Sequence, residues 1–363
     1  MHKKLLTVAI SAAISSMAVT AQADVKVYGR VQAEVAGLKN KITNVTKTDV
    51  IDNGGGTLGV SADEDLGSGM KGIGKVEYQI NTAGDSCPTT TTVSGAVTTV
   101  STASGQCTSD SSLKGDREMF VGLQGGFGTL RLGRVNSPYK LTGVALDPFV
   151  TTVLQARGNG GMSASGPLNT HSSGYVNNGI VYNMPKFGGV GFDVYVSPDT
   201  QNNTSGDLSA AVTWAGGPVS IFVVHNLDEN ANGGTATTTS SGNNTFDSKA
   251  TKVGGQFKFG AAGSLALQFE QLDSGASGAG AETEFMFVGY QIPIGKLTPA
   301  IQVGLSTIDT ATETETTYGA LGVRYNFSKT FSTYGGYRMT KTEVGSATTT
   351  DQEAYTVGLR KDF

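Results

Sequence analysis

Few side chains in this 363-residue chain are equipped for chemistry at neutral pH, and they are scattered. Of three histidines, His2 sits beside Lys3 and Lys4, while His171 and His225 lie in or beside long polar stretches. Neither has a Gly-x-Ser-x-Gly elbow or an acid in register, so a hydrolytic triad finds no carrier. Gly67-Ser68-Gly69-Met70-Lys71-Gly72 matches the dinucleotide pattern Gly-x-Gly-x-x-Gly. That loop needs a buried apolar strand before it and a helix after it. Here Ala62-Asp63-Glu64-Asp65 precedes, and the strand-like Lys75–Ile80 follows. Cys87 and Cys107 have no neighbouring histidine with which to hold zinc. No catalytic residue, no cofactor and no metal site is expected.

What recurs instead is charge alternating with apolar surface. From Val25 to Val35 the odd positions are apolar or small, and Lys26, Tyr28, Arg30, Gln32 and Glu34 occupy the even ones. Period two sustained over about 11 residues is what a tilted strand needs to cross a bilayer. The pattern returns with Lys75, Glu77 and Gln79, with Gln256 and Lys258, with Arg324 and Asn326, and with Arg360 and Asp362. Parity then puts Arg131, Asp193, Lys252, Glu270 and Arg338 on the same watery side. A lysine or arginine facing lipid near the midplane would cost about 2–4 kcal/mol. A soluble sandwich alternates too, so the connections have to decide.

The elements that must position these charges are strands. The 51 glycines, with serine and threonine throughout, exclude long helices, and 38% apolar content is low for a solid core. Strands are expected at 25–38, 57–64, 71–81, 116–124, 129–134, 179–184, 191–196, 207–214, 219–226, 249–259, 264–272, 283–291, 296–308, 318–327, 330–343 and 351–363. Tight joins such as Gly125–Gly128 and Ala215–Pro218 alternate with long polar ones at 39–56, 82–115, 135–178 and 227–248. Short turns on one side and long loops on the other mark a transmembrane antiparallel β-barrel, and an even strand count puts both termini in the periplasm. Phe187, Phe192, Trp214, Phe257, Phe327, Phe331 and Phe363 gather at the short-turn ends, where rings favour the membrane interface.

Residues 1–23 read as a signal peptide: Lys3 and Lys4, an apolar run Leu5–Val19, and Ala21-Gln22-Ala23 before a cleavage between Ala23 and Asp24. Residues 24–363 are then a single barrel domain. In an exported chain the two cysteines read as a disulfide, closing a loop of about 20 residues for roughly 3 kcal/mol. The formal net charge of −4 argues against nucleic acid.

Several stretches resemble the Gram-negative general porins. They are Gly59-Val60-Ser61-Ala62-Asp63-Glu64-Asp65-Leu66-Gly67-Ser68-Gly69-Met70-Lys71-Gly72, Arg117-Glu118-Met119-Phe120-Val121-Gly122-Leu123, Gly126-Phe127-Gly128-Thr129-Leu130-Arg131-Leu132-Gly133-Arg134 and Ser137-Pro138-Tyr139. The terminus Val357-Gly358-Leu359-Arg360-Lys361-Asp362-Phe363 is similar to that family's assembly signal, with Lys361 departing from the usual aromatic or apolar residue. The resemblance implies a homotrimer of 16-stranded barrels in the outer membrane, among lipid and lipopolysaccharide, delivered by the outer-membrane assembly machinery. It implies passive diffusion of small hydrophilic solutes and a long third loop folded into the lumen. A β-rich adhesin without a pore and a solute-specific channel are the alternatives.

The resemblance places Arg134 on the wall of the constriction. Lys26, Arg30, Lys75 and Arg131 are candidates to extend that positive wall. Asp147, the lone acid in the long third loop, is the candidate for the facing charge. Opposite charges across a narrow watery waist set up a transverse field.

Overall fold

The computed structural model describes residues 23–83, 89–94, 97–102, 113–115, 117–163, 175–198, 207–228, 248–273 and 282–363. Residues 1–22, Cys87, Cys107 and His171 lie outside the described residues. Sixteen strands form one antiparallel barrel. They are β1 (Asp24–Asn40), β2 (Thr57–Gly67), β3 (Met70–Ile80), β4 (Met119–Gly125), β5 (Gly128–Asn136), β6 (Tyr175–Asn183), β7 (Val190–Ser197) and β8 (Asp207–Gly216). Then come β9 (Val219–Asp228), β10 (Ser248–Lys258), β11 (Ser264–Asp273), β12 (Glu282–Gln291), β13 (Leu297–Asp309), β14 (Thr314–Asn326), β15 (Phe331–Val344) and β16 (Ala347–Asp362).

Each strand pairs with its sequence neighbour, and β1 closes the ring against β16 from Arg30↔Asp362 to Asn40↔Gln352. Gly29 and Phe363 add two reciprocal backbone hydrogen bonds of 3.0 Å at the seam. Closure leaves no open edge, the condition for carrying backbone polar groups through lipid. Alternation sorts the side chains as the pleat requires. Val31 and Val35 point out and are exposed, whereas Gln32 and Glu34 between them are buried. Ile301 and Val303 flank a buried Gln302 in the same way.

The short-turn end carries the termini and the exposed aromatics, with Phe257 against Phe259 at 4.6 Å and Phe327 against Phe331 at 5.4 Å. One of these turns is Gly67-Ser68-Gly69, whose three residues have φ of 81°, 53° and 75°. Positive φ here favours glycine; the Gly-x-Gly motif is a hairpin closing at Gly67↔Met70.

The loop end departs from expectation in several places. The first loop folds back as Val45–Ile51 to pair with Glu34–Asn40 of β1. In the second, Thr89–Ser94 pairs with Val97–Thr102. β14 and β16 begin at Thr314 and Ala347, earlier than 318 and 351, because threonine-rich ends still join the ladder without apolar alternation to mark them. β4 begins at Met119, later than 116; just ahead of it Arg117 donates to Gly54 O at 2.8 Å.

After β5 the chain turns into a short helix, α1 (Pro138–Val144). Ser137 caps it, accepting from Lys140 N at 3.2 Å, and proline occupies the first turn, where its missing N–H costs nothing. The segment from Ser137 to Ser163 touches inward-facing residues of β1, β10, β11, β13, β14 and β15. Only the interior of a ring offers one segment all of these strands. Among the described residues, no helix is long and apolar enough to cross a membrane.

Candidate functional site: the lumen and its inner loop

The inner loop is held by polar side chains that alternation had aimed at water. Glu34 accepts from Val153 N at 2.9 Å and from Thr356 Oγ1 at 2.8 Å. Arg338 donates to Val153 O at 2.9 Å and to Asn159 Oδ1. Gln302 and Tyr318 both donate to Leu154 O. Glu270 receives Tyr139 OH and Ser163 Oγ and lies 3.8 Å from Lys252, which donates to Tyr139 O at 3.1 Å. All five wall residues other than Tyr318 are charged or amide side chains no more than 5% exposed. Buried charges persist when paired and fully hydrogen-bonded.

Between these anchors the loop is apolar, and the wall beneath it is small. Tyr139, Leu146, Phe149, Val153, Leu154 and Met162 form one buried cluster with inward alanines on the strands, including Ala36, Ala266, Ala320 and Ala354. Glycine brings the surfaces closer still. A Cβ on Gly304 would meet Gly161 Cα at 2.3 Å, and one on Gly336 would meet Leu154 Cδ1 at 2.6 Å. The molecule's principal buried cluster therefore sits inside the lumen. Its trace in the sequence was the alanine and glycine at inward parity, together with the apolar Leu146–Leu154 stretch in an otherwise polar loop.

Across the ring, on β3, β4, β5 and the residues beside them, the cations Lys75, Arg117 and Arg131 stay partly exposed, while Glu77 and Glu118 between them are buried. Lys75 Nζ lies 2.7 Å from Glu118 and 3.2 Å from Glu77. Arg117 reaches Glu77 and Arg131 reaches Glu118, each at 3.4 Å. Three cations thus share two carboxylates, and Tyr28 OH donates to Glu77 at 2.8 Å. Beside them Tyr175 presents its ring to Lys140 Nζ at 3.3 Å and to Arg117 and Arg134 at 5.8 Å, a cation–π arrangement. This wall is net positive. Arg117 and Glu118, at the mouth of β4, were absent from the expected set, although both stand in the Arg117-Glu118 motif.

The sequence candidates separate accordingly. Lys75 and Arg131 stand together on the open wall. Arg134 lies beside them and donates to Asn177 Oδ1. Arg30 is elsewhere, paired with Asp362 at 2.8 Å at the β1–β16 seam. Lys26 is exposed at the short-turn end and pairs with Asp24 at 2.9 Å, so it does not extend the wall of the waist. Asp147 corrects the expectation of a facing charge. It is 4% exposed, and its carboxylate accepts from Phe149 N and Ala156 N at 2.8 Å each. Burial pushes its pKa up from 3.8 against those two N–H groups. It ties the loop to itself.

The ammonium of Lys140 is pushed well below its ordinary 10.5 by burial and by the neighbouring Arg157 and Arg117, with Glu118 and Glu77 opposing. His225 meets Thr251 Oγ1 at 2.9 Å, and no acid completes a triad beside it among the described residues. Among those residues, no group of three His, Cys, Asp or Glu side chains could hold a metal ion.

Residues 6–345 match the model of the Gram-negative porin family. The chain is 27% identical over 209 residues to the major outer membrane protein P.IB of Neisseria gonorrhoeae, covering 54% of this chain and 50% of that one. It is 34% identical over 140 residues to P.IB of Neisseria meningitidis serogroup B / serotype 15 (strain H44/76), covering 37% of this chain and 35% of the relative. The chain spans half or less of the length of these relatives. Among solved structures it is similar to an anion-selective porin from Comamonas acidovorans, with a TM-score of 0.69 at 21% identity over 94% of this chain and 100% of the other. OmpF of Salmonella typhi, in complex with daunomycin, gives 0.62 at 14% identity over 93% and 97%. Both structural likenesses speak for the fold: the same closed barrel. With a family model matched almost end to end, and a ring that is apolar outside and polar within, the chain belongs to the Gram-negative porin family of outer-membrane β-barrels.

Proposed function

We propose that the protein is a passive channel for small hydrophilic solutes and ions, working without catalysis or cofactor. The observation that carries this reading is the inner wall. Charged side chains line a closed ring, and a loop anchored on one side narrows the path beside a positive wall formed by Lys75, Arg117, Arg131 and Arg134. Reconstitution into planar bilayers tests it. Stepwise conductance is the expected result, in steps of three for a homotrimer; silence sinks the channel, and single steps sink the trimer. A trimer form of OmpT from Vibrio cholerae, similar in fold, supports that stoichiometry.

Residues 1–23 serve as the leader, with cleavage after Ala23, and Cys87 and Cys107 pair in the second loop. Two free thiols by mass spectrometry of the unreduced protein would refute the pairing. Phe363 acts as the signal to the assembly machinery. Its ring lies over Gly29, where a Cβ would meet it at 2.5 Å, and its backbone closes the seam. Deleting Phe363 should lower the amount of folded trimer among the outer-membrane lipids and lipopolysaccharide, and unchanged trimer levels would end that assignment.

A further inference from the structure

A second cationic cluster lies apart from the wall of Lys75, Arg117, Arg131 and Arg134. Arg30 of β1, Arg324 of β14 and Arg360 of β16 project inward near the short-turn end, two of them on the strands of the closing seam and the third two strands away. Register brings them together: Arg30 stands opposite Asp362, Gln32 opposite Arg360, and Arg324 opposite Tyr334. Their electrostatic fields overlap, with Arg30 and Arg360 both acting on Arg324 and Arg30 acting on Arg360.

The cluster has one close carboxylate for three guanidiniums. Asp362 is gripped through nitrogens of one kind, Arg30 Nε at 2.8 Å and Arg360 Nε at 3.0 Å. Among the described residues, the terminal Nη groups of Arg30 and Arg360 carry no hydrogen bond. Those side chains are 26% and 20% exposed, so the free donors face lumenal water. Arg324 donates to Pro148 O of the inner loop at 3.3 Å, while its buried Nε has no partner among the described residues. The buried hydroxyl of Tyr334 has none either. The nearby Glu34 is occupied by Val153 N and Thr356 Oγ1. Guanidinium forks with open donors suit an oxyanion with two or more acceptor oxygens.

We infer that Arg30, Arg324 and Arg360 form an oxyanion-binding station on the short-turn side of the waist, taking inorganic phosphate or small carboxylates as they pass. The inference rests on the channel reading and adds to it a saturable site. Asp362 holds two of the arginines in place while the third is tethered to the inner loop, so the donors are preorganised. The net charge stays positive after the one pairing.

The test uses the full-length protein in planar bilayers at low salt, with chloride as carrier and inorganic phosphate titrated on the short-turn side. Chloride current should fall along a saturating curve. Arg360→Gln and Arg324→Gln should each raise the half-inhibiting phosphate concentration roughly tenfold or more, the usual effect of losing one charge-assisted contact. Lys41→Gln, at the opposite rim, should leave it within about twofold. Should Arg360→Gln fail to assemble, Arg324→Gln gives the same reading, since its one hydrogen bond runs to the loop. A four-carbon dicarboxylate is titrated in parallel. A shift for both probes supports a general oxyanion site, and a shift for phosphate alone supports one restricted to phosphate. A linear, unsaturable decrease overturns the station, as does equal half-inhibition in all variants, while normal chloride steps keep the channel reading intact. Silent bilayers would overturn the channel itself.

Discussion

Two walls of one lumen begin with the same residue types at the same parity and end differently. On the wall running through β1, β10, β11 and β13–β15, Glu34, Lys252, Glu270 and Arg338 are buried beneath the inner loop and bonded to it or to one another. On the wall of β3–β5, Lys75 and Arg131 stay partly exposed to water while they pair with the buried carboxylates of Glu77 and Glu118. What differs is the neighbourhood. The first wall carries alanine and glycine between its charges, leaving room for a packed loop; the second carries Lys75 and Arg131, with Arg117 beside them and Tyr28 and Tyr175 reaching in from β1 and β6, and these fill the space themselves. A charge aimed at the lumen is thus a structural anchor or an electrostatic lining according to what lies beside it.

The largest effect should come from cutting an anchor. Glu34→Ala strands Val153 N and leaves Arg338 without its nearby carboxylate, a disruption of about 3–5 kcal/mol for a broken buried network. The barrel should unfold at lower temperature and single-channel conductance should rise as the loop loosens. Unchanged conductance and heat stability would show that the two walls are alike. Gly304→Val should act on the same interface without touching charge, at a cost of about 1–3 kcal/mol for overpacking. Greater protease access to residues 145–160 is the sign to look for, and wild-type resistance would mean the loop can shift without loosening.

The open wall should answer in selectivity. One charge about 8 Å from an ion in water changes its energy by only about 0.5 kcal/mol. Arg131→Gln, Lys75→Gln or Arg134→Ser should therefore move the anion/cation permeability ratio by a few-fold toward cations, and the shift should shrink as salt rises. Asp147→Asn belongs to the other wall's loop and should leave reversal potentials alone while lowering heat stability. A reversal potential that moves with Asp147→Asn would place its charge back in the path.

The smallest effect is a pH dependence. Lys140 has its pKa lowered on folding, so between that lowered value and 10.5 the folded state binds fewer protons than the unfolded. Stability rises with pH across that interval. Between pH 7 and 10 the heat stability of the wild type should therefore gain relative to Lys140→Met. Parallel curves for the two proteins would show that Lys140 stays charged where it stacks on Tyr175.

Much of the barrel was legible because its rules are local. Period two, turn glycines and the alternation of short and long joins act within a few residues, and each strand pairs with the next. Those rules sufficed for sixteen strands, for the inward parity of Glu34 and Arg338, and for the aromatic short-turn end. They could not distinguish Asp147 as a lumenal charge from Asp147 as a buried cap, because that depends on where Phe149 and Ala156 fold. Nor could they divide the inward charges between two walls. Val153 N meets Glu34 across 119 residues, and Arg338 meets Val153 O across 185. No periodicity spans such separations. By itself the sequence determined the closed ring and the side of it each strand residue faces. Only the tertiary structure decided which of those residues face water and which face the loop, because that follows from how closely two distant surfaces can pack.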